Sequence, residues 1–195
     1  MKKFLVLLMF FTFTVHAEIL TYDCGEHCTA TLDESGVLLV SGTGETYSYN
    51  WDTRQEGPFY LNQKIKKIII EEGITSLGSQ IFSSCTNLRE LVLADSVKTV
   101  GSAAFDNISY LNSITMSDTT IWSNQDELNS LEGSNLINIY CRGNLTQCEQ
   151  NLMRNNPSTK GVKTFLKLVG KRIYTIEEAE KLSKPTGNTF KIRYK

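Results

Sequence analysis

The sequence predicts an α/β repeat solenoid, a short stack of strand-and-turn units with an N-terminal β-hairpin cap and a small C-terminal α+β module. Three observations predict it. Residues 65–87, IKKIIIEEGITSLGSQIFSSCTN, and the next stretch of equal length, LRELVLADSVKTVGSAAFDNISY, carry nearly the same hydrophobic pattern. Within each copy, strand-like alternation gives way after a glycine to a second apolar cluster. On either side the pattern fades into turn-rich, aromatic or charged sequence. Periods of about 20 to 50 residues mark stacked architectures, because one such unit cannot bury its own apolar stripe.

Residues 1–17, MKKFLVLLMFFTFTVHA, read as a secretory signal peptide: two lysines, an apolar run from Phe4 to Val15, and Val15 and Ala17 before Glu18. The run falls short of the roughly 20 apolar residues that span a bilayer, and no later stretch matches it, so no transmembrane anchor is expected. Removal of these residues leaves 195 − 17 = 178, with (20 − 2) − 21 = −3 formal charges. A nearly neutral chain gives little support for nucleic-acid binding through a basic face.

Residues 18–64 are expected to form a β-rich cap. Thr29 to Leu32 and Val37 to Ser41 are short β-prone runs joined by DESG, which suits a hairpin with Gly36 left-handed. YSYNWDTRQEGPFYLNQ comes next, with Tyr47, Tyr49, Trp51, Phe59 and Tyr60 around Gly57-Pro58. These aromatics suit a cap packed on Ile65 and Ile68, or, as the second reading, a sugar platform.

Export places all five cysteines where disulfides persist. Cys24 and Cys28 stand in CGEHC, and Cys141 and Cys148 in CRGNLTQC, so two local bonds, Cys24–Cys28 and Cys141–Cys148, are expected, with Cys85 left as a buried thiol. His27 beside Cys28 makes zinc the competing reading, but zinc sites favour tighter ligand pairs and four ligands together.

Residues 65–148 hold about three and a half repeats. Ile65, Leu88, Leu111 and Ser134 are spaced by 23, as are Ile68, Leu91, Ile114 and Ile137, and then Ile70, Leu93, Met116 and Ile139. The result is an L-x-x-L-x-L strand with one face inward. Further columns are Ile74 with Val97, Leu77 with Val100, Gly78 with Gly101, Phe82 with Phe105 and Leu128, and Cys85 with Ile108 and Leu131. The glycines are expected to allow a tight turn. SQIFSSC and SAAFDNI place apolar residues at i, i+1 and i+4, which predicts about one inward-facing helical turn.

The run IKKIIIEEGITSLGSQIFSSCTNLRELVLADSVKTVGSAAFDNISYLNSI resembles the BspA-like leucine-rich repeat, a 23-residue class of bacterial and some protozoan surface proteins. GITSLGSQIFSSCTNLREL carries the resemblance most specifically. CTATLDESGVLLVSGTGETYSY is also similar to the segment that leads into such repeats, so the likeness covers roughly residues 24–148. It implies a leucine-rich-repeat stack and a function in adhesion or binding to host matrix proteins, without naming a ligand.

Residues 149–195 read as a distinct module. Cys148 to Arg154 suits a short helix, and VKTFLKLVGKRIYTIEEAEKLSKPTGNTFKIRYK suits a strand, a helix and a strand. Thr175 and Glu178 make a capping-box pattern, and Phe190, Ile192 and Tyr194 alternate. Lys163, Lys167, Lys171, Arg172, Lys191, Arg193 and Lys195 make the tail basic, which reads as a solvated surface or as a patch for an anionic envelope polymer or lipid. Asn107-Ile108-Ser109 and Asn144-Leu145-Thr146 are glycosylation sequons, meaningful in a eukaryotic source.

Catalytic signals are sparse. Beyond the signal peptide His27 is the one histidine, which argues against a Cys-His nucleophile, and GTGET lacks the lysine and setting of a phosphate loop. Glu72, Asp95 and Asp118 share a column at about 4.8 Å spacing, a ladder able to attract calcium, though such residues more often close turns. No enzyme and no cofactor is expected. The expected function is contact with a host or envelope protein through the outward strand face. That face carries Lys67, Ile69 and Glu71, then Glu90, Val92 and Ala94, then Ser113, Thr115 and Ser117, then Leu136, Asn138 and Tyr140. The alternative is a structural envelope component without a soluble ligand. The expected location is exported: secreted, periplasmic or at the cell surface.

Overall fold

Alternating apolar residues become strands wherever two neighbouring units can pair, and this pairing builds the molecule. The structure, a computed structural model, describes residues 19–50, 55–123, 138–153, 172–175 and 177. The expected signal peptide, Trp51, Leu128, Leu131, Ser134, Leu136 and Ile137 lie outside them, as do Glu178 and the basic residues of the tail other than Arg172.

Three strands open the chain: β1 (Leu20–Gly25), β2 (Cys28–Leu32) and β3 (Val37–Gly42), antiparallel in turn. The β2–β3 hairpin turns at Gly36 with φ +90°, and Asp33 accepts hydrogen bonds from the Ser35 hydroxyl and the Val37 amide. β3 does more than cap. It pairs in parallel with β5 (Lys67–Ile70), and the ladder continues through β7 (Glu90–Val92), β9 (Ser113–Ser117), β11 (Asn138–Arg142) and β12 (Arg172–Thr175). One eight-stranded sheet results, ordered β1-β2-β3-β5-β7-β9-β11-β12. The segment expected as an N-terminal cap thus adds three strands, β1 to β3, to the repeat sheet, and the segment expected as a C-terminal module adds β12.

A second, four-stranded parallel sheet lies behind it: β4 (Gly44–Glu45), β6 (Ile74–Leu77), β8 (Thr99–Val100) and β10 (Ile121–Trp122), ordered β10-β8-β6-β4. The core fills the space between the sheets. Ile68, Leu91, Ile114 and Ile139 face Ile74, Leu77, Val97 and Val100, all fully or almost fully buried. Along the closing side runs an aromatic column, Tyr22–Phe59–Phe82–Phe105–Trp122, with centroid separations of 5.2, 5.3, 5.3 and 5.9 Å. Phe59 stands one full repeat before Phe82, so it keeps the register upstream of Ile65, and Trp122 comes after Phe105 in the column. Stacked or edge-on aromatic pairs add about 0.5–1.5 kcal/mol each beyond area burial.

The helical turn expected after each glycine does not form. Residues around Phe82 and Phe105 instead make consecutive turns with left-handed backbone at Gln80 and Ser84, and at Ala103 and Asn107. Leu61 takes the same left-handed backbone at the equivalent position one unit before Ser84 and two before Asn107. Gly78 and Gly101 serve close packing, not left-handed backbone. A Cβ at Gly78 would lie 2.1 Å from the Tyr47 carbonyl oxygen, and one at Gly101 would lie 2.6 Å from the Ser79 nitrogen. Each glycine lets the neighbouring turn nest against it.

One helix is described, α1 (Leu145–Met153), started by Asn144, whose side chain accepts from the Gln147 amide at 3.1 Å. It packs beside β10, β11 and β12.

Candidate functional site

The outward face of the long sheet comes directly from its register. Because side chains alternate, one row across the strands is Val37–Lys67–Glu90–Ser113–Asn138, and the next is Leu39–Ile69–Val92–Thr115–Tyr140. The second row is half-buried and apolar over its first three members. Five strands at about 4.8 Å spacing make this row about 19 Å long. Ala94 and Ser117, expected on the same face, are buried.

The fourth repeat strand departs from the regular spacing. Ser113 pairs with Asn138, Ile114 with Ile139 and Met116 with Cys141, so the step here exceeds the repeat by two positions. Asn138 therefore stands beside Ser113, Tyr140 beside Thr115 and Arg142 beside Ser117. A slip of two keeps every inward side chain inward, which is why the alternation alone did not reveal it.

The described aromatics of the upstream segment do not cover Ile69 and Val92. Their chain runs along β6 and the turn after it: the Thr46 amide donates to Ser76, the Tyr49 amide to Ser79, and the Thr46 hydroxyl accepts from the Gly78 amide. Phe59 is fully buried and Tyr47 exposed, so no flat aromatic platform forms from these two.

Charge flanks the apolar row on both sides, at opposite ends of the strands. Lys67 and Glu90 form an ion pair at 2.9 Å. At the other end Arg142 reaches past β9 to donate to the Leu93 carbonyl at 2.6 Å and to Asp95 at 3.3 Å. The Glu71 and Glu72 carboxylates are exposed beside it.

With this geometry the family comparison is decisive: the profile of the BspA type leucine rich repeat region matches residues 53–175 in six copies. The chain belongs to that family. No curated protein matches the chain. Among solved structures, a leucine-rich repeat protein from Eubacterium ventriosum is 21% identical over 68% of this chain and 42% of its own, with TM-score 0.48. A leucine rich cell surface protein from Faecalibacterium prausnitzii is 13% identical over 66% of this chain and 52% of its own, with TM-score 0.27. The pneumococcal vaccine antigen PcpA is 15% identical over 75% of this chain and 46% of its own, with TM-score 0.30. This chain thus spans about half, or less, of the length of each.

Within this BspA-type stack the acidic column acts on the backbone. Glu72 accepts from the Asp95 and Ser96 amides at 2.8 and 3.1 Å, one unit on, and Asp118 accepts from the Asn144 amide at 2.7 Å. The Asp95 amide first, then Ser96 and the nearby Arg142, hold the Glu72 carboxyl below its usual range. Among the described residues no group of three or more His, Cys, Asp or Glu is placed to hold a metal ion. No helix there is long and apolar enough to cross a membrane.

The cysteines divide differently from expectation. Cys141 bonds Cys148, tying β11 to α1. Cys24 and Cys28 remain free, as does Cys85. Cys24 is the extra residue of a bulge, since Asp23 pairs with Thr29 and Gly25 with Cys28, and the Cys28 thiol lies 3.3 Å from both the Thr43 and Glu45 carbonyl oxygens. Proximity in CGEHC was legible, but the bulge that aims these thiols was not.

Arg142 and Leu39 were missed by sequence reasoning. Arg142 enters the outward face only once the longer step into β11 is known. Leu39 enters only once β3 is seen to lie parallel to β5.

Proposed function

We propose that this BspA-type chain is an exported binding protein whose outward sheet face contacts a protein partner. The observation that carries this reading is the row Leu39–Ile69–Val92–Thr115–Tyr140. Its apolar members are only half covered, and the core does not dictate their chemistry. Small apolar centres rimmed by charge suit protein contact. The Lys67–Glu90 pair and the Arg142 cluster supply that rim. All three free thiols are buried, and a buried thiol is held neutral and unreactive, which favours binding over thiol chemistry.

The test replaces Ile69 and Val92 together by aspartate. Both are half-exposed, so the expected product is folded and soluble but no longer retains a partner from extracellular and envelope fractions that the unaltered chain captures. A folded double variant that keeps every interaction of the parent would refute the proposal.

A further inference from the structure

Beside the apolar row, at the C-terminal ends of β5 and β7, lies a shallow crevice of about 470 Å³, lined among others by Ile69, Glu71, Glu72, Val92, Ala94 and Arg142. Its floor is apolar, with Ile69 and Val92 half-exposed and Ala94 beneath the surface. Its rim is unevenly charged. Arg142 is committed to the Leu93 carbonyl and to Asp95. Glu72 is engaged by the Asp95 and Ser96 amides. The Glu71 carboxylate is exposed and has no partner among the described residues. Of the charged side chains lining the crevice, two carboxylates, Glu71 and Glu72, face one guanidinium and leave −2 + 1 = −1, while beyond them Asp95 pairs with Arg142 and the Lys98 ammonium donates to the Asp95 carbonyl at 2.8 Å. At the other end of the same strands Lys67 and Glu90 neutralise one another.

We infer that the crevice receives a lysine or arginine side chain from an extended segment of the partner. This inference rests on the reading of the outward face as the contact face. A basic side chain has the two parts this crevice complements: a methylene stem to cover Ile69 and Val92, and a cation to meet Glu71. An acidic side chain would meet net negative charge, and a purely apolar one would desolvate Glu71 without return. Arg142 does not repel the incoming cation strongly, because Asp95 already offsets its charge.

The probe is a set of blocked tripeptides, acetyl-Ala-X-Ala-amide with X lysine, norleucine or glutamate, titrated into the isotope-labelled chain and followed by amide chemical shifts. The lysine peptide is expected to shift the amides of Ile69, Glu71, Val92 and Ala94 saturably, with a dissociation constant on the order of millimolar. The other two peptides are expected to bind about fivefold or more weakly, and added salt to narrow the gap, as for any exposed charge contact. Glu71→Gln should weaken the lysine peptide to the level of norleucine, and Glu71→Lys should abolish its binding. Both variants alter only an exposed side chain, and their spectra report whether the fold is kept. Equal binding of all three peptides, lysine-peptide shifts confined to another surface, or no shifts with it would overturn the inference. Should any of these occur while Ile69→Asp with Val92→Asp still loses the envelope partner, the contact face stands and only its basic occupant is removed. Should the double variant also keep its partner, both fall.

Discussion

Cys85 sits in the inward column between turns, fully buried, with its thiol lying 3.2 Å from the Phe59 carbonyl. Burial pushes the thiols of Cys85 and Cys24 up to about 12. An unfolded thiol ionises at about 8.5, so above that pH the unfolded chain sheds protons that the folded chain keeps. The stability contribution is therefore complete below about 8.5 and is lost as pH rises from there toward about 12. Melting temperature is expected to hold steady from about neutral pH to about pH 8.5 and to fall above it, and a Cys85→Ala variant should fall less steeply. A thiol reagent at about pH 8 should find no reactive group in the native chain and three after denaturation without reductant. A single thiol after denaturation would show that Cys24 and Cys28 are bonded. The inward place of Cys85 was readable from its column with Ile108. The state of Cys24 and Cys28 was not, because spacing fixes how near two side chains lie and not which way a bulge turns them.

Among the elements, the aromatic column links one unit to the next. Phe82 is stacked between Phe59 and Phe105 at 5.3 Å on each side, with no exposed surface. Phe82→Ala is expected to cost about 3–5 kcal/mol in urea unfolding, since it leaves a cavity and breaks the column at its centre. An unchanged midpoint would show that the column contributes nothing. The Phe82–Phe105 step was legible because both residues stand at one place in two obvious copies. Trp122 was not, because it falls short of a full repeat after Phe105 and lies on β10, the strand that closes the short sheet. The helical turn was expected because i, i+1 and i+4 spacing is also satisfied by two successive left-handed turns. Only backbone angles at Gln80 and Ser84 separate the two.

For the whole molecule, stability should follow position in the stack. Repeat arrays are held by interfaces between neighbours, so outer units open more readily than inner ones. β1 forms one edge of the long sheet, and β4 and β10 form the edges of the short one. Native-state hydrogen exchange is expected to be slowest at Ile68, Leu91 and Ile114 and faster in β1 and β10. Uniform protection along the sheets would contradict this. The parallel ladder was legible from the repeat period. The strands at its two ends were not, since Val37 pairs with Lys67 and Asn138 with Arg172, each step being longer than one repeat.

Arg142 breaks the rule that each unit touches only the next. Its guanidinium passes over β9 to hold the carbonyl of Leu93, so it spans two units at once. Where contacts join nearest neighbours alone, a stack can gain or lose a whole unit and leave every remaining interface intact. Deleting or duplicating the unit that contains β9 would leave Arg142 without the Leu93 carbonyl and Asp95 it now clasps. Through this one side chain, a change in the number of units between β7 and β11 would disturb a contact that a nearest-neighbour description of the array does not count.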